Sequence, residues 1–396
     1  MKTTRLFGAL LAAFAATLLA ACGPPVTSSP EATWPLPLPT PESRCDLPDD
    51  PTHYGWILET AGPVSVRRAG ASNTFPATPG VRLRQEDSVR VDVGGRAVIS
   101  CGSTGVVRLE GEFEGTLPCA EARGLPPDTV LRTGQNGEIE FLHPARGPRD
   151  ESPDYGNFPV LLAPRNTLLT ESQPLLSWSP VAGATRYEVT IYTSGAEPWT
   201  AAVSTTSLLY PADAPPLAHN RTYSVRILAH REGEARPRPS AEDATFMLLT
   251  GEEAARIEEW ARALRDLGLD EEAPLLAVGY SYCHGLLTRA GEQLDALLDR
   301  YPDAPALYTL RGGLYLDGGL LRPAGEAYNT AVALAEQDGD ELALADALVG
   351  QGTVLFLQLR SSEATASWAR ALAIYQAQGE TERARLVEAA IQEAQK

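Results

Sequence analysis

At Gly251 the apolar residues of this 396-residue chain stop alternating and begin to recur at the helical period, and the change holds to the C terminus. Period 2 buries one face of a strand and period 3.6 buries one stripe of a helix, so no single sheet or single bundle can span the whole chain. The first part must be β and the last part α. Glu252 to Leu267 reads as a helix with Ile257, Trp260, Ala261 and Leu264 along its apolar stripe, and Gly268 ends it. Beyond Gly268 the pattern repeats. Tyr308, Gly312, Tyr315, Gly319, Ala324, Tyr328 and Ala331 have counterparts 34 residues earlier in Ala290, Leu294 and Leu297, followed by Pro302, and 40 residues later in Gly352, Leu355, Ala364, Trp368 and Ala371. The six extra residues of the longer interval are assigned to the turn region Gln337-Asp338-Gly339-Asp340.

These spacings resemble the tetratricopeptide repeat (TPR), in which small residues let two antiparallel helices touch and aromatics fill between them. The first repeat departs from the pattern, since Gly279 and Tyr282 fit only with a one-residue slip. The resemblance implies stacked helical hairpins over 251–396, capped by a polar helix from about Thr381 to Gln395. It also implies a binding surface on the first helix of each pair, which carried over by position gives Tyr282, Thr309, Leu316, Asp317, Thr353 and Phe356. Residues of this kind also pack between repeats, so the same six have a purely structural reading.

Two β modules precede the helices. Pro63-Val64-Ser65-Val66-Arg67, Val89-Arg90-Val91-Asp92-Val93 and Ala97-Val98-Ile99-Ser100-Cys101 each have one face to bury, which predicts a small antiparallel sandwich or roll within 51–150. The run Gly80-Val81-Arg82-Leu83-Arg84-Gln85-Glu86-Asp87-Ser88-Val89-Arg90, between Gly62 to Arg68 and Gly95 to Ile99, is similar to the FecR domain of bacterial envelope proteins. That resemblance implies a non-catalytic sensing or binding module. The second module, 157–250, opens on Pro174-Leu175-Leu176-Ser177-Trp178 and a Val181-Ala182-Gly183-Ala184 turn. It resembles a fibronectin type III or immunoglobulin-like sandwich. Tyr187, Val189 and Ile191 share one face, as do Tyr223, Val225, Ile227 and Ala229, and Ala244 to Leu248 supplies the last strand. Trp178 reads as core, and Trp199 as the better candidate for an exposed aromatic. Asn220-Arg221-Thr222 reads as a turn. The fold class is therefore multidomain β followed by α.

The N terminus supplies an address. Lys2 and Arg5 precede an apolar run from Leu6 to Ala21, whose 16 residues fall short of the ~20 a spanning helix needs. Leu19-Ala20-Ala21-Cys22 then resembles the lipobox of bacterial lipoproteins, which implies removal of 1–21, acylation of Cys22 and attachment to a bilayer in the cell envelope. From 22 to 50 the chain is proline-rich and includes Pro35-Leu36-Pro37-Leu38-Pro39, an extended spacer.

Four cysteines follow Cys22. Export to an oxidising compartment favours pairing among the three in the N-terminal region, with Cys101 to Cys119 preferred and Cys45 able to replace either partner. Cys283 reads as a buried thiol. The spacing of histidines and cysteines gives no metal site, and no cofactor is expected. Loss of Lys2 and Arg5 takes the net charge from −18 to −20, which argues against nucleic acid as a partner. The five scattered histidines, with no GxSxG, HExxH or phosphate-binding glycine loop, suggest a chain that is not an enzyme. Two functions from different classes follow. One is a lipid-anchored adaptor that binds a protein or peptide through its helices, with the β modules as spacers of a jointed arm. The other is an envelope sensor or cell-wall ligand-binding component that uses the β modules.

Overall fold

A computed structural model describes residues 53–84, 86–101, 105–117, 123–124, 156–234, 236–240 and 244–395. Cys22, Cys45, Cys119 and the polar connection before Gly156 lie outside them.

The first β module consists of β1 (His53–Ala61), β2 (Val64–Arg67), β3 (Phe75–Pro76), β4 (Arg82–Arg84), β5 (Ser88–Val91), β6 (Arg96–Cys101), β7 (Gly105–Glu110), β8 (Phe113–Gly115) and β9 (Arg123–Gly124). They form a five-stranded sheet in the order β4-β1-β6-β7-β9 and a four-stranded sheet in the order β3-β2-β5-β8, every pair antiparallel. The alternation seen in sequence sets the core: Val64, Val66, Val89, Val91, Ala97, Ile99 and Cys101 are buried together.

The second module runs through β10 (Leu161–Ala163), β11 (Thr167–Leu169), β12 (Leu175–Trp178), β13 (Ala184–Tyr192), β14 (Trp199–Val203), β15 (Ser207–Leu209), β16 (Thr222–Arg231), β17 (Arg238–Pro239) and β18 (Ala244–Leu248). Its two sheets have the orders β10-β12-β15 and β11-β18-β16-β13-β14, with β17 beside β16. Trp178, Tyr187, Val189, Ile191, Tyr223, Val225, Ile227 and Ala229 make one core. Trp178 meets Tyr187 edge-on at 5.5 Å between centroids, and the Tyr187 hydroxyl accepts from the Val181 amide at 2.9 Å. Trp199 departs from expectation: it opens β14 half-buried, packs against the core and lies 4.8 Å from Tyr210, because the hairpin carries its ring over the module. Asn220 does form a turn, with φ 54°.

The indole N–H of Trp178 is buried without a partner. Leaving such a group unpaired costs about 1–3 kcal/mol, so Trp178→Phe should change stability by less than about 1 kcal/mol. Trp178→Ala should lower it by about 3–5 kcal/mol. Urea unfolding of the two variants, followed by circular dichroism, checks the contrast.

Nine helices follow among the described residues: α1 (Gly251–Asp266), α2 (Leu269–Glu272), α3 (Pro274–Cys283), α4 (Leu287–Arg300), α5 (Pro305–Asp317), α6 (Leu321–Asp338), α7 (Glu341–Leu357), α8 (Ser361–Ala377) and α9 (Thr381–Ala394). Thr250 starts α1 with a capping box to Glu253, and Ile257, Trp260 and Leu264 are its buried stripe. Gly268 follows with φ 67°, a conformation that favours glycine.

The helices pack as consecutive antiparallel pairs because glycines admit aromatic rings. A Cβ on Gly312 would stand 2.7 Å from the Tyr328 ring, one on Gly350 2.0 Å from the same ring, and one on Gly352 2.4 Å from Trp368. The six extra residues do not form a longer turn. They lengthen helices, since α6 has 18 residues against 14 in α4, and α7 has 17 against 13 in α5. Between α6 and α7 only Gly339, at φ 74°, and the cap Asp340 remain. No helix among the described residues is long and apolar enough to cross a membrane.

Candidate functional site: two gripped edges of the helical array

The six residues placed on the repeat surface are held by the chain itself. The Tyr282 hydroxyl donates to Asp317 at 2.6 Å, joining the ends of α3 and α5. The Thr309 hydroxyl donates to the Pro305 carbonyl one turn back, and that of Thr353 to Val349. Leu316 and Thr353 are buried, and the half-buried Phe356 lies against Trp368 at 5.7 Å. Tyr282 and Asp317 thus come together, whereas the others serve their own helices or the next repeat. Burial, reinforced by the Asp317 charge, pushes the neighbouring Tyr328 hydroxyl pKa well above its usual value.

One edge of the array, where α5, α7 and α9 begin, is occupied by the first β module. Arg68 donates to Asp87 at 2.6 Å within its own module and to Asp340, the cap of α7, at 3.1 Å. Asp340 also accepts from the amides of Leu342 and Ala343, the ordinary work of a helix cap. Arg82 pairs with Asp346 at 2.6 Å, and Arg84 grips Glu380 at 2.7 and 3.1 Å. Asp346 further accepts from Tyr375 and from Arg383 at 3.1 Å. Gly80, itself at φ 90°, gives room at this edge to the Ala306 methyl of α5: a Cβ on Gly80 would lie 2.6 Å from the Ala306 Cβ. At the same edge Arg300 and the Tyr301 hydroxyl both donate to the buried Glu59 of β1.

The electrostatics follow from enclosure. Burial works against the charge of Arg68, but Asp340 and Asp87 outweigh it and hold the guanidinium pKa above its ordinary value. The same balance, with Asp346 and Tyr375 as the main partners, raises that of Arg383. Burial first, then the Glu59 carboxylate, pushes Tyr301 up to about 12. The network is incompletely satisfied, because Glu59 Oε2, Arg82 Nη1 and Glu380 Oε2 are buried without a hydrogen-bond partner.

The opposite edge, where α3 and α5 end, belongs to the second β module. Helix ends leave carbonyls unpaired, and the residues leading into β11 take them up. Arg165, almost wholly buried, donates to the Gly318 carbonyl, as does Asn166 at 3.1 Å. The Thr167 hydroxyl at 3.2 Å and the Leu168 amide at 3.0 Å donate to Gly285. A shared apolar cluster of Leu58, Val98 and Val106 with Leu168, Leu249, Trp260, Leu264 and Tyr280 fills the junction of all three parts. The two β modules are therefore not spacers strung before the helices, as a jointed arm would need. They are docked on them.

Sequence reading missed this edge, although one signal was present. Gly339-Asp340 and Gly379-Glu380 stand 40 residues apart, the spacing of the repeat, and both acids are buried at the start of a helix. Arg82-Leu83-Arg84 likewise puts two arginines on one face of a strand.

Cys101 and Cys283 are both disulfide-bonded. Cys283 is therefore not the thiol expected: it is bonded, and it ends α3 at the junction with the β modules.

An open groove of about 500 Å³ runs along α6, α7 and α8. Its floor carries a ladder in which Gln351 donates to Asn329 and Ser367 donates to Gln351, each at 2.8 Å. Arg322 and Arg360 on its walls pair with Glu326 and Glu363. Among the described residues no group of three or more histidines, cysteines or carboxylates could hold a metal ion. Comparison with family models and with curated proteins gives no match for this chain.

Proposed function

We propose that this chain is a lipid-anchored, non-catalytic protein of the bacterial envelope that binds a protein or peptide through its helices. The observation that carries the interaction reading is the repeated register: glycines on α5 and α7 receive the aromatics Tyr328 and Trp368 of their partner helices at the same step of each pair. This supports a TPR-like array, a scaffold whose established style of work is partner binding. The FecR-like and immunoglobulin-like readings of the two sandwiches are supported by their strand order and by the buried Trp178 and Tyr187. The anchor rests on Leu19-Ala20-Ala21-Cys22 alone.

A second reading, an envelope sensor, is favoured by the docked first module. Arg68, Arg82 and Arg84 connect it to three points along the array, so a ligand bound to the β module could bias the helices. Affinity capture with a soluble Cys22→Ser form separates the two. Enrichment of one protein, lost on altering exposed residues of the helical array, supports the adaptor. Retention on cell-wall polymer with no protein enriched supports the sensor.

The anchor is tested independently. Cells expressing the chain should incorporate radiolabelled palmitate into it, and Cys22→Ser should abolish that incorporation and release the protein from the membrane fraction. Unchanged labelling in Cys22→Ser would remove Cys22 from its role.

A further inference from the structure

We propose that β14 is an open sheet edge on which a second copy of this chain docks, the two strands pairing antiparallel about a two-fold axis at Ala201. The four sheets have eight edge strands, and among the described residues the other seven are each closed in a recognisable way. β4 is held to the helices through Arg82 and Arg84, and β11 through the Leu168 amide. β3 and β9 are two residues long. β10 and β15 have three residues each and are followed by Pro164 and Pro211. β8 carries Glu114, which pairs with Arg67 at 3.7 Å and with Arg90 at 4.0 Å. Cover, shortness, proline and charge are the means by which a sheet refuses another strand. β14 has none of them.

Trp199-Thr200-Ala201-Ala202-Val203 pairs with β13 on one side, and among the described residues no strand pairs with the other. Alternate residues therefore turn their amide and carbonyl outward, and an added strand satisfies them. Charge selects the occupant. In a two-fold contact each side presents the same surface, so a charged edge would meet its own sign. Residues 198–212 carry no charged side chain, in a chain of net charge −18. Pairing about Ala201 sets Trp199 opposite Val203 of the other copy and Thr200 opposite Ala202. Thr200 and Ala202 are the exposed positions of the strand, and both are small, so the backbones can close. On the neighbouring strand Glu188 lies beside Ala202. Three strand spacings of about 4.8 Å keep its two copies at least about 14 Å apart, beyond the ~8 Å reach of exposed charge at physiological salt. The sheet β11-β18-β16-β13-β14 thus doubles into one continuous sheet, with β11, the edge that meets the helices, at each far end.

Sedimentation equilibrium of the full chain carrying Cys22→Ser, which keeps acyl chains out of the contact, should show a dimer that dissociates on dilution. Thr200→Lys/Ala202→Lys sets like charges opposite each other twice and should raise the dissociation constant at least about tenfold, with the circular dichroism unchanged. Leu175→Asp, on the exposed face of β12, should leave the dimer as it was. A monomer at every concentration, a dimer indifferent to the β14 changes, or a dimer lost only in Leu175→Asp would overturn the proposal. The register is read separately. With oxidised glutathione as the acceptor of two electrons and two protons, Ala201→Cys should give an intermolecular disulfide, since facing Cα atoms lie about 4.5–5.5 Å apart. Thr200→Cys stands about 8 Å from its own copy and should not cross-link. Cross-linking through Thr200→Cys and not through Ala201→Cys would contradict the pairing.

Discussion

Asp346→Ala should lower the stability of the folded chain by about 3 kcal/mol, an effect far above that of an ordinary surface ion pair. The Arg82 side chain is 3% exposed and faces Asp346 at 2.6 Å, so removing the carboxylate leaves a guanidinium charge enclosed between the β module and the helices. Breaking a buried pair from one side costs about 3–5 kcal/mol, and the lower figure applies because Asp346 itself is 24% exposed and water can enter in its place. The loss should be partly reversed in Arg82→Met/Asp346→Ala, where the enclosed Arg82 charge is gone and the methionine still fills the strand position, while Arg383 and Tyr375 have still lost their acceptor. A double-mutant cycle by denaturant unfolding reads the coupling directly. If the double variant were as unstable as Asp346→Ala, the cost would lie in the helix and not in the contact between modules.

Trp368→Ala should be at least as costly, about 3–5 kcal/mol. The indole is wholly buried, donates to the Val349 carbonyl at 3.1 Å and fills the space that Gly352 leaves open. Truncation removes the ring, frees the carbonyl and takes away the platform on which Phe356 rests. Gly352→Ala attacks the same contact from the other side, because its Cβ would stand 2.4 Å from the indole nitrogen. Overpacking of this kind costs about 1–3 kcal/mol and outweighs the ~1 kcal/mol gained by alanine in a helix. The two changes should therefore couple with opposite sign: in a Trp368→Ala background, Gly352→Ala should become neutral or stabilising. Thermal unfolding of the four proteins measures this, and additive losses would mean that α7 and α8 do not meet at this contact.

The strands and helices were legible because they follow from local periodicity. Val64 to Arg67, Ser88 to Val91 and Arg96 to Cys101 alternate and are strands, and the stripe Ile257, Trp260 and Leu264 is the buried side of α1. The glycine and aromatic positions of the repeat were legible too, since Gly312, Tyr328, Gly352 and Trp368 are the residues whose sizes let helices touch. The docking of modules was not. Arg82 and Asp346 are 264 residues apart, and a charge pair over that distance leaves no periodic trace in either segment. Cys283 was misread for a related reason. In sequence it belongs to the helices, and only the packing of β1 against α3 brings it to the first β module. Trp199 was misread because aromatic burial at a strand end depends on where the hairpin folds back. For the six residues proposed for the binding surface, the repeat spacing marks a place in the array but not the neighbours, and Tyr282 bonding Asp317 is a contact between repeats.

The central claim, that the first β module and the helical array form one interlocked unit through the Arg68, Arg82 and Arg84 contacts, is tested most directly by amide hydrogen exchange. In the Cys22→Ser variant, Asp346→Ala should reduce protection both in 80–84 of the β module and across 340–350 of the helices, with little change in the core of the second module. Loss of protection confined to the helices, with 80–84 exchanging as before, would contradict it.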